Sequence, residues 1–293
     1  MAEKSLMVLL VGARGMLAHE VLRAAPAQVT LIERDLPEFD ITDAHAVRSA
    51  IAALAPQVVL NCAAYTAVDK AETEHALAYA VNAEGVRNLA VACHAHAVPL
   101  VHLSTDFVFS GDGSHLLTED DPVMPRGAYA ESKRAGELAI EQTGGPWLIV
   151  RTAWLYAAQG NNFVNTMLRL AQERDELRVV ADQFGCPTYA PDLAAALWRL
   201  IACNARGYVH VCNSGVCSWC DFARAIVEDA AAAGLLQRTP RVTPITTAQF
   251  NSPAPRPAYA AMATQRYTTL TDACMRPWRE ALHAYLHEKR RTQ

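Results

Sequence analysis

Tyr129 and Lys133 stand four positions apart in the stretch AYAESKRAGEL, residues 128–138. On a helix that spacing puts both side chains on one face, one turn apart. A free phenol loses its proton only near pH ~10 and is a poor acid–base group at neutral pH. A neighbouring ammonium favours the phenolate and draws that value toward working pH. The same lysine can reach the ribose hydroxyls of a bound nucleotide. Taken alone, a Tyr-x-x-x-Lys pair is common by chance, so the reading depends on what surrounds it. Upstream, LSTDFVFSG places the hydroxyls of Ser104 and Thr105 just after an apolar run. One of them is suited to donate a hydrogen bond to a substrate carbonyl beside the tyrosine.

A second group of residues points to a nucleotide. GARGMLA sets Gly12 and Gly15 directly after the apolar run LMVLLV, at the mouth of a helical pattern. Glycines there permit a tight turn and let a pyrophosphate approach the amides of a helix N-terminus. Asp35 follows twenty residues after Gly15. A carboxylate at that place accepts hydrogen bonds from an adenosine ribose and repels a 2′-phosphate. Arg14 and Arg34 argue the other way, since guanidinium groups pair well with phosphate. The expected cofactor is therefore NADPH or NADH, without a ranking. Asp40 and Ile41 either flank the adenine or belong to a helix-capping loop.

The elements that must position these groups follow from apolar periodicity. Leu6–Val11, Val29–Glu33, Gln57–Asn61, Val98–Ser104 and Trp147–Thr152 read as buried parallel strands, with helices between them. Thr42 or Asp43 caps one helix, and a long alanine-rich helix is expected from Asp69 to about Ala92. Such alternation predicts an α/β protein of the Rossmann type, a doubly wound parallel sheet with right-handed crossovers. Its C-terminal edge would carry the ligand. After Thr152 the rhythm loosens, which predicts a smaller C-terminal substrate-binding domain. The division is residues 1–153 for the dinucleotide, with 187–212 returning to that domain, and 154–186 plus 213–293 for the substrate. The segment TTAQFNSPAPRPAY is expected to form an ordered loop over a pocket, and RPWREALHAYLHEKR an amphipathic helix.

Composition narrows the classes. The 293 residues are 52% hydrophobic and 19% charged, which argues against disorder. A net charge of −4 without a long basic run speaks against nucleic-acid or anionic-membrane partners. The apolar part of MAEKSLMVLLVGARG is too short for a secretory signal or a membrane span. The expectation is a soluble cytoplasmic protein whose eight cysteines are reduced thiols. His210, Cys212, Cys217 and Cys220 invite a zinc reading, but their spacing does not match a standard knuckle. Ser218 among them reads better as a helix cap, so no metal site is expected.

The chain resembles the extended short-chain dehydrogenase/reductases and, within that group, closely the dTDP-4-dehydrorhamnose reductase family. The matching stretches include GARGMLA, DITD, NCAAYTAVDKAE, STDFVFSG, YAESKRAGE, RTAWLY, GNNFVNTML, DQFGCPTYAPDLA, HVCNSGVCSW and PAPRPAY, in order along nearly the whole chain. The resemblance implies NAD(P)H-dependent reduction of the C4 ketone of dTDP-4-dehydro-L-rhamnose, the last step of dTDP-rhamnose biosynthesis. It implies that Tyr129 donates the proton, that Lys133 tunes it, and that Thr105 steadies the oxygen. It implies a cofactor site of Gly15, Met16, Leu17, Asp35, Asp40, Ile41, Ala64, Tyr65 and Thr66. Thr105, Asp106, Trp154 and Arg256 would meet the nucleotide sugar. Read from the residues alone, Trp154 is core packing. A Mg²⁺ requirement is not readable from the sequence, and a homodimer is one assembly open to such a chain. Departures are Ala18 for the third glycine, Phe107 for a frequent tyrosine, and Ala130 and Ala157 for usual glycines.

Two other classes are weighed against this. A non-catalytic cofactor-binding regulator of the same fold has no need to keep tyrosine, lysine and threonine together. A nucleotide-sugar epimerase or dehydratase is kept open by Asp106, but the C-terminal stretches do not fit it.

Overall fold

The computed structural model describes residues 5–113 and 115–291. Six parallel strands form its main sheet: β1 (Leu6–Val11), β2 (Val29–Arg34), β3 (Val58–Asn61), β4 (Leu100–Thr105), β5 (Trp147–Thr152) and, after the short β6 (Glu176–Val180), β7 (Gly207–His210). Their order across the sheet is β2-β1-β3-β4-β5-β7. The chain leaves β1 toward one edge and returns on its other side at β3, which opens a crevice beyond their carboxyl ends. Val8–Val11 are at most 1% exposed. Burying each such side chain contributes about 1.5–3 kcal/mol, so an uninterrupted apolar run is stable only in the middle of a covered sheet. β7 extends the sheet beyond β5, its Gly207–His210 pairing with Leu148–Arg151.

Helices cover both faces. α1 (Met16–Arg23) follows β1, α2 (Ala44–Leu54) follows β2, and α3 (Val86–Ala95) precedes β4. α4 (Ala128–Thr143) carries the Tyr/Lys pair, and α6 (Ala190–Ala202) packs with α1 after α5 (Phe163–Glu173). Asp43, not Thr42, caps α2, accepting from the N–H groups of His45 and Ala46 at 2.8 and 3.0 Å. A second apolar core lies among α5, α7 (Trp219–Ala232) and α8 (Trp278–Arg291), beside the parallel pair β6 and β8 (Arg241–Ile245). Tyr156 anchors it, its ring 5.4 to 5.6 Å from those of Tyr189, Phe222 and Tyr285. Among the described residues no helix is long and apolar enough to cross a membrane.

The long helix expected from Asp69 to Ala92 is broken. A turn at Val68–Ala71, a helix at His75–Tyr79 and a wide π-type turn at Ala80–Gly85 precede α3. Alanine favours helix at every position, so composition hides the breaks. They arise from tertiary contacts: Glu72 accepts the Ala128 N–H at 2.8 Å, and Asn82 turns inward to the backbone of Tyr65. The proline-rich segment also differs from a plain loop. Thr246 and Gln249 form a reciprocal cap around a helical turn at Thr247–Phe250.

Candidate active site

Two adjoining clefts run along the carboxyl ends of β1, β3 and β4, sharing Gly15, Cys62 and Ala64 in their walls. The larger, about 600 Å³, holds Gly15, Met16, Leu17, Ala64, Thr66, Thr105, Asp106, Tyr129, Lys133, Trp154 and Arg256. The other, about 470 Å³, holds Gly12, Arg14, Gly15, Asp35, Asp40, Ile41, Ala64 and Tyr65. These two adjoining clefts bring together the residues expected to meet cofactor and sugar, whereas Arg34 lines neither of them.

The glycine turn is built by close approach. Gly12 adopts φ +77°, and a Cβ there would stand 2.5 Å from the Ala63 nitrogen. No other residue fits that turn without moving the end of β3. Gly15 begins α1 without a side-chain cap, so the N–H groups of the first helical turn are open. With the dipole of α1 behind them they suit an anionic pyrophosphate. Asp35 holds the turn in place, accepting from the N–H groups of Arg14 at 2.6 Å and Leu36 at 2.7 Å. Arg14 in turn pairs with Glu38 at 3.1 Å. Asp40 accepts from the Thr42 N–H and hydroxyl, both at 2.8 Å, so it forms a capping loop while also lining the cleft. Ala18, Ala130 and Ala157, the three alanines at glycine positions of the resembled pattern, are buried with at most 1% exposure. The fold accommodates their methyl groups.

Asn82 ties the loop at Tyr65 to α4. It exchanges hydrogen bonds with the Tyr65 backbone at 2.9 and 3.0 Å and donates to Ser132 Oγ at 3.0 Å. Ser132 Oγ donates to the Tyr129 carbonyl at 2.8 Å.

At the chemical centre, Ser104 and Thr105 both line the cleft beside Tyr129, and of the two Thr105 acts on the phenol. Thr105 also donates to Asp106 Oδ1 at 3.0 Å and accepts the Phe107 N–H at 3.2 Å. Burial pushes the Tyr129 phenol up to about 12, the hydrogen bond from Thr105 pulls it down, and the charge of Asp106 adds to the rise. This is opposite to the lowering that the Tyr/Lys spacing predicts. The reason is that Lys133 Nζ donates to the Leu103 carbonyl at 2.7 Å while desolvation dominates at the phenol. Burial also brings Lys133 down to about 8, against the opposing pull of Glu137. Asp106, 1% exposed, rises to about 7 through burial, and its Oδ2 has no partner. A threonine hydroxyl has a single proton. With Asp106 ionised it goes to the carboxylate; with Asp106 neutral it is free for the phenol oxygen.

Trp154, Trp219 and Phe163 line the far wall. Arg256 reaches in from the proline-rich segment, both carboxylate oxygens of Asp69 lying 2.9 Å from its Nη2. Sequence reasoning missed Trp219, Phe163, Phe107 and Cys62 as groove residues. Trp219 closes the matching stretch HVCNSGVCSW, and its neighbour Ser218 caps α7 in a reciprocal box with Asp221. His210 Nδ1 is 3.2 Å from the Leu117 carbonyl, and Cys212 Sγ donates to the Met262 carbonyl at 3.8 Å. Among the described residues no cluster of three His, Cys, Asp or Glu side chains is placed to hold a metal ion.

Comparison with known proteins converges with this geometry. A dTDP-4-dehydrorhamnose reductase of Streptomyces griseus is 44% identical over 287 residues, covering 94% of this chain and 91% of that protein. A probable dTDP-4,6-dihydroxy-2-methyloxan-3-one 4-ketoreductase of Streptomyces antibioticus is 42% identical, covering 94% and 92%. The crystal structure of a dTDP-4-dehydrorhamnose reductase from Bacillus anthracis, in complex with NADP, superposes with a TM-score of 0.91 at 37% identity, covering 96% of this chain and 99% of that one. The pattern of the RmlD substrate binding domain matches residues 6–291, and the chain belongs to that family.

Proposed function

We propose that this chain reduces the C4 ketone of dTDP-4-dehydro-L-rhamnose to dTDP-L-rhamnose, using NADPH or NADH. The observation that carries the reading is the convergence of Thr105, Tyr129 and Lys133 in one cleft with the uncapped N-terminus of α1. The names of the relatives support the substrate class. A nicotinamide cofactor bound along the groove supplies the hydride. The open N–H groups of Met16 and Leu17 hold its pyrophosphate, while Gly12 and Gly15, whose own N–H groups donate to the carbonyls of Arg34 and Gly12, shape the turn that lets it approach. Arg14, Asp35, Asp40, Ile41, Ala64, Tyr65 and Thr66 enclose its adenosine half, and Lys133 reaches ribose hydroxyls.

The rest of the work belongs to the chain. Tyr129 donates the phenolic proton to the oxygen on which charge develops, and Thr105 steadies that oxygen. Lys133 favours the phenolate that remains. Trp154 and Asp106 position the sugar, and Arg256 engages the diphosphate. Residues 1–153 with 187–212 form the cofactor half, and 154–186 with 213–293 the sugar-nucleotide half. The protein works in the cytoplasm.

A second reading rests on the relative from Streptomyces antibioticus, a probable 4-ketoreductase of another dTDP-linked sugar: Tyr129 would then protonate the C4 oxygen of that sugar instead. The test is nicotinamide oxidation followed with each 4-keto nucleotide sugar generated in situ. Faster turnover of the rhamnose precursor supports the first reading, a preference for the other sugar the second. Absence of turnover with either removes both.

A further inference from the structure

Asn61 and His102 form a buried polar line with Lys133, and of the three the reaction outlined above uses only the lysine. Asn61 ends β3 and His102 lies within β4; both are 0% exposed. The backbone N–H of Ala63 donates to Asn61 Oδ1 at 3.0 Å. A backbone N–H can only donate, so this contact identifies the oxygen end of the amide. Asn61 Nδ2 then faces His102 Nδ1 at 3.0 Å. Because Nδ2 is also only a donor, Nδ1 is the bare ring nitrogen. A neutral imidazole in that arrangement carries its proton on Nε2. Nε2 lies 3.4 Å from Lys133 Nζ.

We propose that His102, locked as the Nε2–H tautomer by Asn61 and the Ala63 backbone, is a positioning residue for Lys133: it confronts the lysine nitrogen with a donor instead of an acceptor. The Leu103 carbonyl, 2.7 Å away, is then the acceptor that the sheet offers to Nζ. The other protons of the ammonium are left for ribose hydroxyls and for the tyrosine. A lysine pinned by two acceptors would have fewer donors to offer a ligand. The inference rests on the reductase reading only for the use to which those donors are put.

The same arrangement bears on the charge of Lys133. An N–H facing a nitrogen favours the amine over the ammonium, because the amine alone has a lone pair to accept it. Several other groups surround Nζ. Glu137, one turn further on α4, favours the ammonium and is itself paired with Arg151 at 2.9 Å and Arg134 at 2.9 Å. The Cys62 thiol, at the end of β3, is pushed up to about 12 by burial and stays neutral. Tyr129 on α4 and the Thr105–Asp106 pair beyond β4 border the same cleft. Burial and the neighbouring ammonium hold the His102 ring neutral.

Two variants and one spectrum test this. Long-range ¹H–¹⁵N correlation on the unmodified protein should show His102 protonated at Nε2 and bare at Nδ1 throughout the neutral range. His102→Phe removes the donor. Asn61→Asp can only accept from the ring, so it moves the proton to Nδ1 and turns a bare Nε2 toward Lys133, which the same spectrum reads directly. In both variants the alkaline limb of the kcat/KM profile should move up by about one pH unit, since the ammonium persists longer. A proton on Nδ1 in the unmodified protein overturns the proposal. So does a variant in which activity falls evenly across pH with the alkaline limb unmoved, which is the mark of packing alone. If no 4-keto sugar is reduced, the reductase reading fails, and the spectrum together with direct titration of a ¹⁵N-labelled Lys133 side chain still decides the tautomer proposal.

Discussion

Trp154 and Trp219 lie face to face, ring centroids 3.5 Å apart and planes 9° from parallel. One follows the last residues of β5 and the other opens α7, so the stack joins the main sheet to the second core. Trp154 holds φ +46°, a backbone state that bulky side chains rarely adopt. It is fixed from its other side by Gly185, where a Cβ would come within 2.6 Å of the indole ring. Removing Trp219 takes away one face of this clamp. Trp219→Ala should raise KM for the nucleotide sugar by about tenfold, the scale of one lost aromatic pair, with kcat changed far less. Steady-state kinetics decide it; an unchanged KM would mean that Trp154 is held without its partner.

Loss of the proposed proton donor has the sharpest expected effect. Tyr129→Phe keeps the ring and its edge-on contact with Phe107, centroids 5.5 Å apart, and deletes only the hydroxyl. Turnover should fall by about 10³-fold or more, while the affinity for NADH, read by fluorescence, stays nearly as before. A variant that reduces the sugar at the parental rate would show that another group supplies the proton.

The main sheet and the groove were legible because both leave local marks. The runs at Val8–Val11 and Leu148–Val150 are apolar throughout, as strands covered on both faces must be. Gly12 answers to a backbone demand that no other residue meets. What stayed hidden depends on residues far apart in the chain. Glu72 leaves its helix for the N–H of Ala128, fifty-six positions on, and nothing in an alanine-rich stretch announces that. Trp219 enters the groove through the packing of α7, and a single tryptophan at a helix start has no period to read. The sign of the Tyr129 shift depends on where Lys133 Nζ points, which the four-residue spacing leaves open.

Asp106 predicts a pH dependence of stability. Its carboxyl is raised from 3.8 to about 7 in the fold, chiefly by burial. A folded value above the unfolded one means that the native state binds the proton more tightly. That contribution is fully present below about pH 4 and is lost as pH rises through about 7. Asparagine stays neutral throughout. Asp106→Asn should therefore match the parent near pH 4 and exceed it at pH 8 by up to about 4 kcal/mol, measured by urea unfolding at the two pH values. Equal stabilities at both would place the carboxyl in contact with water.

Gly136 offers a test of the tie between the Tyr65 loop and α4. A Cβ at this position would stand 2.1 Å from the carbonyl oxygen of Asn82, so the helix and the π-type turn touch where only a hydrogen fits. Alanine in a helix interior is otherwise favoured over glycine by about 1 kcal/mol. Relieving the clash means pushing Asn82 away, and Asn82 holds Tyr65 by two hydrogen bonds and Ser132 by a third. Gly136→Ala should thus destabilise the protein by about 1–3 kcal/mol in spite of its better helix propensity. It should also weaken NADH binding, because the Tyr65 loop lines the cleft proposed for the adenosine half. Thermal unfolding and cofactor titration give the two readings. A raised Tm would show propensity outweighing contact. A lowered Tm with unchanged NADH affinity would mean that Asn82 braces the fold without shaping the groove.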